Sequence, residues 1–152
     1  MKGSVFTGAT LISAEFENAK LKQCIFFAAR ITKASFGNAT LSYADFRQAT
    51  AHETKFNHAK LENVNFTRAQ LQSADFRGAH LHFSKFSGAD LSATTFQDAS
   101  INNAVFKGAL NLPKAEILKT KGWEHALFDQ GVKQELARIQ DSQRLSQNTP
   151  DL

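Results

Sequence analysis

Few residues in this chain have the type and spacing for chemistry. His80 and His82 lie two positions apart, which puts both imidazoles on the same side of an extended segment. Such a pair binds a transition metal only weakly unless further ligands join it, because a structural zinc site takes four. No third good ligand accompanies them. The single cysteine, Cys24, excludes an intramolecular disulfide framework and a thiolate cluster. There is no G-x-S-x-G, no H-E-x-x-H, no phosphate-binding glycine loop and no C-x-x-C. The sequence therefore predicts a non-enzymatic protein, with no catalytic residue, no cofactor and no metal.

The elements that position these residues follow from one pattern. Between Ser4 and Ala109 a large apolar residue recurs every five positions. Phenylalanine takes alternate places, from Phe6 and Phe16 through Phe96 and Phe106. Between them fall Leu11, Leu21, Ile31, Leu41, Ala51, Leu61, Leu71, Leu81, Leu91 and Ile101. Two residues before each stands a small one, usually Ala; Cys24 holds one such inward place. A five-residue step turns about 140° on a helix and would flip faces on a strand, so neither element keeps these residues together. The chain must bend after every five residues, which makes a solenoid. Four sides per coil stack Phe on Phe and Leu on Leu, whereas three sides would mix them. This predicts roughly five and a half coils and a rod of ~26 Å.

Phrases such as Ala39-Thr40-Leu41-Ser42-Tyr43, Ala44-Asp45-Phe46-Arg47-Gln48, Ala74-Asp75-Phe76-Arg77-Gly78 and Ala89-Asp90-Leu91-Ser92-Ala93 resemble the A-(D/N)-L-x-x motif of pentapeptide-repeat proteins. The resemblance covers about 106 of 152 residues without a break in register. It implies an all-β solenoid, a right-handed quadrilateral β-helix with the central Leu or Phe and the preceding Ala inside. Function varies widely across such a fold.

Exceptions to the repeat mark places to inspect. Ala51 stands where Leu or Ile is the rule, and predicts local repacking, a bulge near His52-Glu53-Thr54, or a functional notch. Gly8, Gly78, Gly88 and Gly108 occupy the bend position. After Ala109 the ladder stops, which divides the chain into a β-helix over 1–111 and a helical cap and tail over 112–152. Pro113 suits a first helical turn, with Lys114 to Thr120 following. Leu118, Trp123 and Phe128 are expected to close the last coil. Asp129 is expected to cap a second helix, carrying Val132, Leu136 and Ile139, that reaches about Leu145 and ends by Asn148-Thr149-Pro150.

The outward residues point toward function. Net charge is +4, mildly basic. The side centred on Phe6, Phe26 and Phe46 carries Arg47, Arg68, Lys85 and Lys107 against Asp45. The side centred on Leu21, Leu41 and Leu61 carries Lys20, Lys22 and Lys60 against Glu62, and Lys60 opposes a cation at His80 and His82 one coil on. The side centred on Phe16 is acidic, through Glu15, Glu17, Asp75 and Asp98. Tyr43 and Phe83 fall in one outward column where the two basic sides meet, with Ile25 and Phe27 on the adjoining side. Together with Lys22, Lys60, Arg47, Arg68 and Lys85 they form a candidate interaction strip. The competing reading is that these rings only shield their neighbours along the ladder.

The function expected is a scaffold that presents its rod to a protein partner. The family resemblance adds an alternative, a DNA-like modulator of gyrase or topoisomerase, but that requires acidic faces and this rod is net basic. A third reading is an anionic partner on the two basic sides; without a dense Arg/Lys run, nucleic acid is disfavoured. A homodimer is expected either through an uncapped coil end or through the C-terminal helix. No apolar run approaches a membrane span, and Met1 to Phe6 enters the ladder at once, so a cytoplasmic protein without a signal peptide is expected. A targeting segment already removed from a longer precursor would leave no trace.

Overall fold

The computed structural model describes residues 1–148. The chain winds through parallel bridges that join each residue just before a central position to its counterpart twenty residues on, as in Val5 to Ile25, Ile25 to Asp45 and Asp45 to Asn65. Four such bridge columns make a four-sided rod. The sides are identified below by their first central residues: Phe6, Leu11, Phe16 and Leu21.

Hydrogen bonding explains why five residues make one side. In the repeat from Asp45, the Asp45 N–H donates back one coil to Cys24 O, and the Phe46 N–H donates forward to Asn65 O. The Gln48 N–H also donates forward, to Thr67 O, while the Ala49 N–H closes the corner on Phe46 O at 3.1 Å. That leaves the Arg47 N–H. The Asp45 carboxylate accepts it at 3.0 Å. The same device recurs at Asn65 for Thr67, Asp75 for Arg77 and Asp90 for Ser92. A backbone donor left over by the corner is thus met by a short acceptor two residues earlier, the geometry of an Asx turn. This gives the Asp/Asn of the motif its physical reason.

The interior is solid. From Leu21 to Phe106 every central residue is buried, as are the small residues that precede them from Cys24 onward. Successive rings in each Phe column lie 4.7 to 5.3 Å apart along the repeat and nearly parallel. The two columns also meet across the core, edge to face, at 5.5 to 6.2 Å. The sequence pattern anticipates the stacking but not this contact across the core. Coil spacing near 4.8 Å suits offset ring stacking, so backbone and rings share one repeat distance.

Ala51 produces neither a bulge nor an open notch. The bridges Arg30 to Thr50 to Gln70 run straight through it, and its N–H donates to Gln70 O at 2.8 Å. It is 1% exposed. Thr54, larger than the usual Ala, is fully buried at the next inward place, and its hydroxyl donates to Ile31 O at 2.8 Å. Ser84 and Thr94 satisfy their hydroxyls in the same way, on Leu61 O and Leu91 O.

Coil-like bridging does not end with the repeat at Ala109. Ser100 bridges Lys121, and Val105 bridges Leu127, after insertions of one and two residues in the twenty-residue step. Phe128 stacks on Phe106 at 5.4 Å and extends the column. Trp123 and Phe128 are nearly buried, and Ile117 is more deeply covered than the expected Leu118. Helix α1 spans Lys114–Ile117, shorter than expected. Its Glu116 carboxylate accepts the Phe96 N–H. A 3-10 turn spans Trp123–His125, and α2 spans Val132–Gln147.

Asp129 does not cap α2. Gly131 holds that place in a left-handed conformation, φ 87°, and no side chain caps the helix. The Asp129 carboxylate accepts the Gly108 N–H at 3.0 Å, tying the chain to the last full coil. Leu136 is fully buried, while residues 141–148 are exposed. The expected stop at Thr149-Pro150 lies outside the described residues.

Two outcomes follow from this packing. Phe66→Ala removes a ring that touches both columns and should lower unfolding stability by about 3–5 kcal/mol, measured by urea denaturation. Acid should weaken the rod in a defined direction. Burial works against the Asp45 and Asp75 carboxylates, but the hydrogen bonds and charges of Arg47 and Arg77 outweigh it and hold both pKa values below the ordinary 3.8. The Asn111 amide, with Ser92, does the same for Asp90. Their stabilisation is complete above the unfolded value and is lost as pH falls through the depressed folded values. Denaturation midpoints should hold down to about pH 4 and then drop, and Asp90→Asn should make that drop shallower.

Candidate interaction surface

Every repeat turns its corner on the second residue after the centre, and that residue adopts positive φ. L-residues pay roughly 1–2 kcal/mol for this left-handed conformation, and only Gly, Asn and Asp visit it readily. The corner column between the Leu21 and Phe6 sides reads Gly3, Gln23, Tyr43, Asn63, Phe83 and Asn103. Tyr43 and Phe83 sit there at φ 64° and 61°, the phenyl-bearing residues among those with positive φ. Their side chains are 55% and 54% exposed. Two large rings thus occupy strained positions and bury only about half their surface. The glycines and asparagines of these columns are the signal from which the left-handed corner can be read in sequence.

The structure does not treat all the strip residues alike. Lys22 Nζ lies over the Tyr43 ring, 5.7 Å from its centroid. The Arg47 guanidinium lies over Phe27 at 5.5 Å and also grips Asp45 at 2.7 Å. Arg47 is thus neutralised, and Phe27 and Ile25 are half-buried rather than open. Lys22, Lys60, Arg68 and Lys85 are exposed, and none lies within ion-pair distance of a carboxylate among the described residues. On the Leu11 and Phe16 sides the pairs Lys33–Glu53 and Arg77–Asp75 tie up charge. The Phe6 side also loses one pair, Arg47 with Asp45, but Lys22, Lys60, Arg68 and Lys85 keep their charge.

Other exposed apolar side chains escaped the sequence reading. Val5, Ile12, Leu110 and Leu127 stand in outward columns near the two ends, at 47% exposure or more. His80 is exposed and His82 half-buried, and the described residues hold no group of three or more His, Cys, Asp or Glu placed to bind a metal. Cys24 is buried, and its thiol donates to Met1 O at 2.8 Å. A shallow polar groove is lined by Asn57, His58, Arg77, Gly78, Gln97 and Asp98. The His58 ring lies over Gly78 so closely that a Cβ there would lie 2.3 Å from its Nδ1.

The corner geometry separates the two readings of the aromatic pair. If the rings are not required by the fold, Phe83→Gly should relieve backbone strain and raise stability by about 1 kcal/mol in thermal denaturation. Tyr43→Gly should gain less, since it also loses the Lys22 contact. A marked loss of stability in both would identify the rings as shields of the column.

Comparison with known proteins bears on the fold. A family profile described as pentapeptide repeat region matches residues 1–76 and 29–106. No curated protein matches the chain. Among solved structures, a trypsin-treated form of QnrB1, a plasmid-mediated fluoroquinolone resistance protein, shares 18% identity with a TM-score of 0.56, over 92% of this chain and 86% of that one. A pentapeptide repeat protein of the Arabidopsis thaliana thylakoid lumen shares 26% identity at a TM-score of 0.32, over 78% and 73% of the two chains. HetL, involved in heterocyst differentiation regulation in Nostoc sp. strain PCC 7120, shares 18% at 0.29, over 86% and 87%. The repeat, the four bridge columns and the profile agree: the chain belongs to the pentapeptide-repeat family, and its rod is a right-handed quadrilateral β-helix.

Proposed function

We propose that this protein is a non-enzymatic interaction protein whose rod presents fixed outward side chains to a protein partner. One observation carries the reading. Two half-exposed aromatics, Tyr43 and Phe83, are held at corner positions that disfavour them, on the edge where Lys22 leans on Tyr43 and Lys60 and Lys85 have no carboxylate partner among the described residues. Hot spots at protein interfaces are enriched in such aromatic anchors. The interior supports the same view, since its central positions are filled by packed side chains.

The division of labour under this reading places the contact surface on the β-helix, 1–111, and end closure in 112–152. A second copy of the chain is a further candidate partner. It would meet the first coil, where Phe6, Leu11 and Phe16 are only partly buried, or the outer half of α2, where Leu145 is 72% exposed. A DNA-like acidic rod finds little support. The acidic Phe16 side has Asp75 paired with Arg77, and the whole chain is net +4. No helix among the described residues is long and apolar enough to cross a membrane. We assign the protein to the cytoplasm, a reducing compartment in which an unpaired thiol such as Cys24 persists.

The test is affinity capture from the source cell with the intact chain, followed by hydrogen exchange on the purified complex. Protection should concentrate on the Leu21 and Phe6 sides around residues 43 and 83. If no protein is retained, or if protection falls on α2 alone, the reading fails.

A further inference from the structure

Building on that reading, we propose that the corner between the Leu21 and Phe6 sides docks an acidic, extended protein segment lying along the rod axis, with apolar side chains placed against Tyr43 and Phe83. Three observations fix this chemistry. The first is unpaired charge. Lys22, Lys60 and Lys85 stand on the two sides that meet at this corner and have no carboxylate partner among the described residues, while Arg47 on the Phe6 side is paired with Asp45. Unpaired cations around an apolar centre select carboxylates and disfavour basic partners. Of the two acids nearby, Asp45 is held by Arg47, and Glu62 accepts the Ser42 hydroxyl at 2.6 Å instead of pairing with a lysine.

The second observation is spacing. Tyr43 and Phe83 stand two coils apart in one column, about 9.6 Å at ordinary coil spacing. A polyproline-type segment has three residues per turn and rises ~3.1 Å per residue, so its residues i and i+3 share a face ~9.3 Å apart. The two repeats match. Asn63 stands between the rings at φ 58° and offers its amide to the backbone of such a segment, which carries no internal hydrogen bonds.

The third is that the corner is fixed before binding. The Tyr43 N–H donates to Glu62 O at 3.0 Å, and the Phe83 N–H donates to Asn102 O at 3.2 Å, so both rings project from hydrogen-bonded backbone. A surface ordered in advance loses less entropy on association. Lys22 already leans on the Tyr43 ring, while among the described residues no cation is placed over Phe83.

The proposal is tested with the full chain and defined probes, by fluorescence anisotropy at low and at moderate salt. One probe is a labelled peptide of glutamates with a phenylalanine at every third position. A second replaces each glutamate by glutamine, and a third is an oligothymidylate of equal charge. The acidic peptide should bind, weaken with salt, and lose about tenfold in affinity in Tyr43→Gly/Phe83→Gly and in Lys60→Gln/Lys85→Gln. Lys55→Gln, on the Phe16 side, should leave it unchanged. Equal binding of the glutamine peptide, tighter binding of the oligothymidylate, or no binding of the acidic peptide would each overturn the proposal. Circular dichroism of each variant distinguishes lost contact from lost fold. If the acidic peptide fails while a cellular protein is still captured and still protects the rod, this inference falls and the broader interaction reading stands. If capture fails as well, both fall.

Discussion

One distance governs this molecule: the separation between successive coils. Backbone hydrogen bonds between parallel strands hold chains about 4.8 Å apart. Phenylalanine rings in offset stacks favour nearly the same separation. Because the two agree, a ring can sit in every coil of a column without stretching the backbone or opening a gap. The edge-to-face contacts then lock the Phe6 column to the Phe16 column across the core. Each such contact contributes about 0.5–1.5 kcal/mol beyond burial, so a core only two rings wide becomes self-sufficient.

The same repeat distance dictates the corners. To hold the central residue inward, the chain must turn after every five residues, and the turn demands one left-handed residue. It also strands an N–H two residues on, which Asp45, Asn65, Asp75 and Asp90 answer in their own repeats. Many corner residues are neither Gly, Asn nor Asp, among them Gln23, Ala28, Lys33 and Arg68. A large apolar ring at a left-handed corner satisfies neither requirement, and Tyr43 and Phe83 are the phenyl-bearing residues placed there. Local rules broken without a structural gain mark the places where function is sought.

The C-terminal segment solves a different problem. A solenoid ends in unpaired backbone and bare rings. Here the chain abandons the repeat but keeps its hydrogen bonding, letting Lys121 and Leu127 continue two bridge columns and Phe128 continue one ring stack. Glu116 and Asp129 supply carboxylates to N–H groups of the last coil. These acceptors and the extra ring act beside Ile117 of α1 and Leu136 of α2, both fully buried in the core cluster.

The five-residue ladder by itself determined the fold, the number of sides, the inward residues and the stacking of like on like. It could do so because each of these depends on neighbours a fixed number of residues away. The outward direction of Tyr43 and Phe83 was legible for the same reason. Three matters were decided only in three dimensions. Ala51 reads as a defect, yet the bridged backbone runs unbroken past it and the buried Thr54 hydroxyl finds Ile31 O, because coil hydrogen bonds outweigh one truncated side chain. Asp129 reads as a helix cap, yet it serves Gly108, twenty-one residues earlier in the chain. Above all, the basic strip reads as uniform, yet Arg47 is bound to Asp45 while Lys60, Arg68 and Lys85 are not. Charge is counted along a sequence, but ion pairing depends on which side chains lie within about 4 Å, and that is settled by the conformation of long side chains on the folded surface.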